Sequence, residues 1–287
     1  MKKYFLILGL LCHMALCGCN DSIPCNEIHY TSSDGKIVEL NHLISNSDDP
    51  FMLFMFGRSE YPLGEGVSVV SNVYENGEGV ITCDGDITTI GDYAFHECKS
   101  LTSITIPNSV TTIGEGAFDR CYNLKSITIP DSVITIGDMA FGGCWSLTSI
   151  TIPGSVTTIG DRTFQSCKGL TNITIPDSVT TIEGGAFSNC YSLTSITIPD
   201  SVTSIGGGVF EDCSSLTSIY CKAVTPPSLK YNALSIIGTE DLILHDVIYI
   251  KNSDIIIYVP EESVEAYKTH KNWGKYADQI IGYNFGE

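Results

Sequence analysis

The sequence predicts a solenoid: one parallel β-strand per 23-residue coil, short helical turns between strands, and a cap at each end. Three observations predict it. Apolar columns return every 23 residues from residue 87 to about 221. Each copy carries a version of Leu-Thr-Ser-Ile-Thr-Ile, usually closed by proline. The copies degrade at both ends, as coils that face caps rather than neighbours should.

The first copy reads ITTIGDYAFHECKSLTSITIPNSV over residues 87–110. Ile recurs at 90, 113, 136, 159, 182 and 205, and Phe at 95, 118, 141, 164, 187 and 210. Leu101 and Ile104 head two further columns that end at Leu216 and Ile219. Within a copy, Leu-Thr-Ser-Ile-Thr-Ile alternates apolar and small polar residues, the period of a half-buried strand. Proline ends it, because it cannot donate to a continuing ladder. Asp-Ser, Asn-Ser or Gly-Ser then makes a turn. Val-Thr-Thr-Ile predicts a second short extended piece. Gly-Asp-x-Ala-Phe-x-x-Cys reads as one helical turn with Ala, Phe and Cys facing inward. An incomplete copy precedes these, with Ile81 and Cys83 in the columns of Ile104 and Ile106; in the last copy Cys221 replaces the Ile. One coil has too few apolar side chains to offset the ordering of its backbone, so only the stack is stable. At about 4.8 Å per strand, six coils give a sheet about 29 Å long.

The phrase L-x-S-I-T-I-P-x-S-V-T-x-I-G-x-x-A-F-x-x-C resembles the BspA-like class of leucine-rich repeat proteins. The flanks extend the likeness over nearly the whole chain past the leader. Asn26–Leu40 resembles the opening of members from gut Bacteroidota, and Ile257–Phe285 resembles their C-terminal module. The resemblance implies a leucine-rich repeat solenoid and a surface lipoprotein of that phylum. It further implies an adhesin or protein-interaction scaffold for host or microbial surface proteins.

Four regions are expected: a leader at 1–18, a tether and N-terminal cap at 19–78, the solenoid at 79–222, and a capping module at 223–287. Met1-Lys2-Lys3, the apolar run Tyr4–Leu16 and the Leu16-Cys17-Gly18-Cys19 junction have the pattern of a secretory leader. The run is too short to span a bilayer. Leu16, Gly18 and Cys19 resemble a lipobox, which implies acylation of Cys19 and an anchored protein. An outer-membrane lipoprotein facing the cell surface follows, with the periplasmic face left open. Residues 49–63 have no assigned role. In the C-terminal module, residues 255–259 read as a buried strand ending at Pro260. A helix should follow, with Glu261 and Glu262 in its first turn and Lys268, His270 and Lys271 near its end. Trp273 and Tyr276 should cover its apolar side.

The formal net charge of −18 repels phosphate backbones, so nucleic acid is not an expected partner. No P-loop, HExxH or dinucleotide fingerprint is present. The six histidines are scattered, with His96 alone in the repeats, and suggest no triad. An enzyme is not expected, nor a cofactor. Cys98, Cys121, Cys144, Cys167, Cys190 and Cys213 form a column. Without a Cys-x-x-Cys pair or histidine column they read as small buried core residues rather than metal thiolates or bridges. Cys25, Cys83 and Cys221 are left without an assigned oxidation state. Asp131, Asp177 and Asp200 read as turn formers rather than calcium ligands. Their Asp-Ser-Val triplets, with Asp21-Ser22-Ile23, also resemble a short O-glycosylation signal of Bacteroidota.

Two outward columns are candidate ligand surfaces. Ser126, Thr128, Ser149 and Thr151 belong to a uniform hydroxyl face of the sheet. The position after each column cysteine is more varied: Lys99, Tyr122, Trp145, Lys168, Tyr191 and Ser214. Tyr122, Trp145 and Tyr191 there form a candidate aromatic stripe for protein or sugar. The competing reading is that these rings pack over the adjacent coil. The alternatives to an adhesin are a glycan-binding lipoprotein of an uptake system and a structural envelope protein.

Overall fold

The computed structural model describes residues 24, 26–38, 63, 67–230 and 255–286. Cys19, Cys25, the leader and residues 49–62 lie outside the described residues. The repeats form the expected parallel solenoid. Strands Leu101–Thr105, Ser126–Thr128, Ser149–Thr151, Asn172–Thr174, Ser195–Ile198 and Ser218–Cys221 make the main face. A second row of two-residue strands runs from Thr89–Ile90 to Ser228–Leu229. Pairing is in register by one period, with Ser103 opposite Ser126 and Ile196 opposite Ile219. Alternation does its work here: in Ser126–Thr128 only Ile127 is buried, and the hydroxyls on either side face water.

The segment expected to be a helical turn is a chain of tight turns instead. Within it, Ala94, His96 and Cys98 donate back to the carbonyls of Gly91, Tyr93 and Phe95. The residues between them, Tyr93, Phe95 and Glu97, donate forward to Glu115, Ala117 and Asp119 of the next coil. A single helical turn would leave its first amides without partners, whereas this arrangement bonds half of them within the segment and gives the other half to the stack. Its geometric cost is two left-handed residues per coil, such as Tyr93 and Glu97 at φ 55° and 56°. Glycine relieves that cost in the next coil at Gly116, φ 55°.

The core is a set of ladders. Phe95 to Phe210 stack through all six coils, with centroids from 5.2 Å apart at one end to 6.0 Å at the other. The rings of Phe118 and Phe141 are 3° from parallel. The five column thiols from Cys121 to Cys213 each donate to the Phe carbonyl of the preceding coil, as Cys121 does to Phe95 at 3.0 Å. Ser109, Ser132, Ser178 and Ser201, which follow the turn residue after each proline, donate to the preceding coil at 2.7 Å. That satisfies carbonyls which the short second-row strands leave over.

The N-terminal end departs from the expectation. Strand β1 (Glu27–Ser32) lies between β3 (Glu78–Cys83) and the first coil strand Leu101–Thr105, antiparallel to both. Strand β2 (Val69–Glu75) completes a hairpin with β3. Ile81 and Cys83 are therefore not a stacked partial coil: Ile81 faces Ile28, and Tyr30, two residues on, faces Ile104. An antiparallel strand interrupts the parallel series and closes it.

At the other end the ladder continues past the last coil. Ile256–Pro260 pairs parallel with Ser218–Cys221, and Ile280–Tyr283 pairs parallel with Ile256–Pro260. The expected helix is a 3₁₀ turn, Glu261–Ser263, running into Val264–Thr269. Trp273 is fully buried and donates to Pro227 O at 2.8 Å. Tyr267 donates to Ala223 O at 2.7 Å, and its ring packs edge-on against Trp273. Among the described residues no helix is long and apolar enough to cross a membrane.

Candidate functional site

The varied position after each column cysteine sits on a tight turn just before the main-face strand. Lys99, Tyr122, Trp145 and Lys168 each donate an amide within that turn, as Trp145 does to Gly143 O at 2.9 Å. The turn fixes the backbone and leaves the side chain outside. One period brings the next side chain alongside, so the column becomes a continuous ladder. The rings of Tyr122 and Trp145 are 4.2 Å apart at 32°. The Lys168 ammonium lies 3.9 Å from the Trp145 ring centre and 6.0 Å from that of Tyr191. Lys99 stands 5.9 Å from the Tyr122 ring. Trp145 and Tyr191 remain 43% and 41% exposed.

Tyr122, Trp145 and Tyr191 thus come together as a surface stripe, and they also pack on their neighbours. The competing reading, that the rings pack over the adjacent coil, describes Tyr122 and Trp145, while Trp145 and Tyr191 stay exposed. What spacing could not reveal is the part played by the lysines between the rings. Lys168 covers one face of Trp145 and Tyr122 packs against it as well, so the stripe offers ring edges and ammonium groups more than open ring faces.

The hydroxyl surface is where alternation puts it. Ser126, Thr128, Ser149 and Thr151 are exposed on the main face. On the first coil that face is partly covered, because Thr31 of β1 bonds the Thr102 and Ser103 hydroxyls at 2.6 and 2.7 Å.

Charges beside the ladder are paired. Arg120 and Lys99 both reach Glu97, at 3.1 and 3.3 Å. Burial pushes the Glu97 carboxyl up, but its hydrogen bonds from Arg120 and Lys99 outweigh that and hold it below the usual carboxylate range. His96, the repeat histidine, is buried against Asp119 with Nδ1 3.1 Å from Oδ2. The cysteine column consists of free, buried thiols, and burial drives the Cys121, Cys144 and Cys167 groups far above the ordinary thiol range. Among the described residues no group of three or more His, Cys, Asp or Glu is arranged to hold a metal ion.

A second aromatic group escaped sequence reading. Tyr220 stacks on Tyr258 at 4.6 Å and 9°, and Tyr283 stands edge-on to both at 5.5 and 5.4 Å. Phe285 continues the group at 5.0 Å from Tyr283. Tyr220 occupies the threonine column of the main face, which was the one available signal. The 23-residue period ends at Cys221, so nothing in the spacing aligns Tyr258 or Tyr283 with it.

Residues 88–217 match the BspA type leucine rich repeat region in six copies. Among solved structures, a leucine-rich repeat protein of T. pallidum is 36% identical over 52% of this chain and 68% of its own, with a TM-score of 0.48. One from Bacteroides ovatus is 28% identical over 66% of this chain and 56% of its own, TM-score 0.44. A leucine rich cell surface protein of Faecalibacterium prausnitzii is 27% identical over 67% and 62%, TM-score 0.39. The chain spans less than two thirds of the second and third of these. No curated protein matches it.

Proposed function

Because this chain belongs to the BspA-type leucine-rich repeat proteins, a family of repeat scaffolds, we propose that it binds a protein partner through the Lys99–Tyr191 ladder. The observation that carries this reading is the ladder itself: large rings, half exposed, already held by stacking and by Lys168. Rings and cations fixed before binding lose little conformational entropy on docking, and aromatic residues dominate the energy of protein interfaces. Covered ring faces count against stacking of a sugar on this stripe, and so against the glycan-binding alternative there. The leader pattern supports lipidation at Cys19 and attachment to the outer membrane, with the solenoid on the cell surface.

The test is a binding screen of residues 20–287 against arrayed matrix proteins, cell-surface proteins and glycans. A saturable protein hit should weaken at least tenfold in Trp145→Ala combined with Tyr191→Ala, with an unchanged circular dichroism spectrum. Loss of a glycan hit in the same variant would promote the uptake reading. Silence on every array would leave a structural envelope role and end the adhesin proposal. For the anchor, Cys19→Ala should abolish incorporation of labelled palmitate and move the protein to the soluble fraction; retained label would refute it.

A further inference from the structure

The outward face of the sheet changes character at its C-terminal end. Along the coils it is serine and threonine; on the last three strands it becomes Tyr220, Tyr258, Ile281 and Tyr283. Ile281 and Tyr283 are 46% and 42% exposed. Just past the ends of these strands is a hollow of about 580 Å³. Its walls are the rings of Tyr283 and Phe285, Val224, and the charged groups Glu261, Glu262 and Lys222.

From this geometry we infer a second binding site, one that takes a lysine- or arginine-bearing peptide segment of a partner protein. Three features select that ligand. The hollow carries two carboxylates against one ammonium, both carboxylates on exposed residues of the 3₁₀ turn. Its aromatic wall holds two rings, Tyr283 and Phe285, with centroids 5.0 Å apart and planes 68° apart, and the negative face of such a ring attracts a cation. The chain as a whole carries −18, which attracts basic partners and repels acidic ones. The methylene stem of lysine would lie along Tyr283 and Val224 while its head reaches the carboxylates. A neutral sugar would use the rings but would gain nothing from the excess of one negative charge in the hollow.

This site is independent of the ladder. Tyr191 precedes the strand of its coil, whereas Lys222 follows the strand of the last one. Either site can therefore fail without the other.

The experiment is calorimetric titration of the full chain with an N-acetylated tetralysine peptide, a tetraglutamate control and a neutral oligosaccharide. Two variants decide it. Glu261→Gln with Glu262→Gln removes the proposed carboxylates from exposed positions. Asp131→Asn with Asp177→Asn removes the same charge from turns in the coils. Saturable tetralysine binding that falls at least tenfold in the first variant, stays within twofold in the second and weakens in Tyr283→Ser is the expected result. Equal losses in both charge variants would reduce the effect to attraction by net charge and overturn the site. Absence of tetralysine binding, or tighter binding of the oligosaccharide, would overturn it as well. So would sedimentation showing a dimer that the Glu261→Gln, Glu262→Gln variant dissolves, since the hollow would then be filled by a second copy.

Discussion

At the scale of single residues, the cysteine column shows how far spacing reaches. The period alone says that six thiols point inward, and without histidine or Cys-x-x-Cys neighbours it argues for packing over chemistry. It does not say that the five thiols after Cys98 each donate to a phenylalanine carbonyl of the coil before, because that depends on how the turn between them aims the carbonyl. The consequence is titration. Burial raises Cys213 to about 12 and Cys83 and Cys221 to about 11, and it drives the central column well above the ordinary thiol range too. Below the ordinary thiol pKa both folded and unfolded chains are protonated, and stability is complete. As pH rises past about 9, the unfolded chain ionises first, and each such thiol then removes up to about 1.4 kcal/mol per pH unit. Urea unfolding should therefore weaken steeply between pH 9 and about 11. Cys144→Ala should flatten that slope by about one thiol's share; an unchanged slope would show that the column does not govern alkaline stability. At pH 8 the native column should resist a thiol reagent that labels it fully in denaturant.

At the scale of elements, strands of the repeat were legible because alternation and a terminal proline are local signals. The turn segment was not, since the choice between helix and tight turns is made by amides that bond across coils. Strand β1 was hidden for a similar reason: its place between β3 and the first coil rests on pairings 49 to 76 residues apart. Its anchor is Tyr30, whose ring fills the space left by Gly79. The Tyr30 hydroxyl donates to Asn72 at 2.7 Å and accepts from the Val38 amide at 3.1 Å. A methyl at residue 79 would fall inside that ring. Gly79→Ala should expel Tyr30, break both hydrogen bonds and cost about 1–3 kcal/mol of strain. Because the damage is at one end of a stack, amide exchange should accelerate in β1 and β3 while the coil around Phe141 keeps its protection. Uniform loss of protection would instead mean that cap and coils open as one unit.

At the scale of the molecule, the ladders require that coils be interchangeable, because each touches only its two neighbours. The repeat made that legible; the aromatic end of the sheet lay beyond the period and was not. Interchangeability has a sharp consequence. Removing residues 154–176 takes out one whole period and leaves every column continuous. Phe187 would then stack on Phe141, Cys190 would donate to the Phe141 carbonyl, and Ser178 would reach Val133 in place of Ser155, whose bond it mirrors. The shortened chain should fold with an unchanged spectrum and a single unfolding transition at somewhat lower denaturant, having lost one coil and one interface. Its scattering length should fall by about 4.8 Å. Deleting only 154–165 removes about half as many residues, yet it puts Phe187 where no ring can meet it and breaks the serine and thiol ladders together. That smaller deletion should be the more damaging of the two. If both are equally destabilised by urea, the energy lies in particular coils rather than in the register between them.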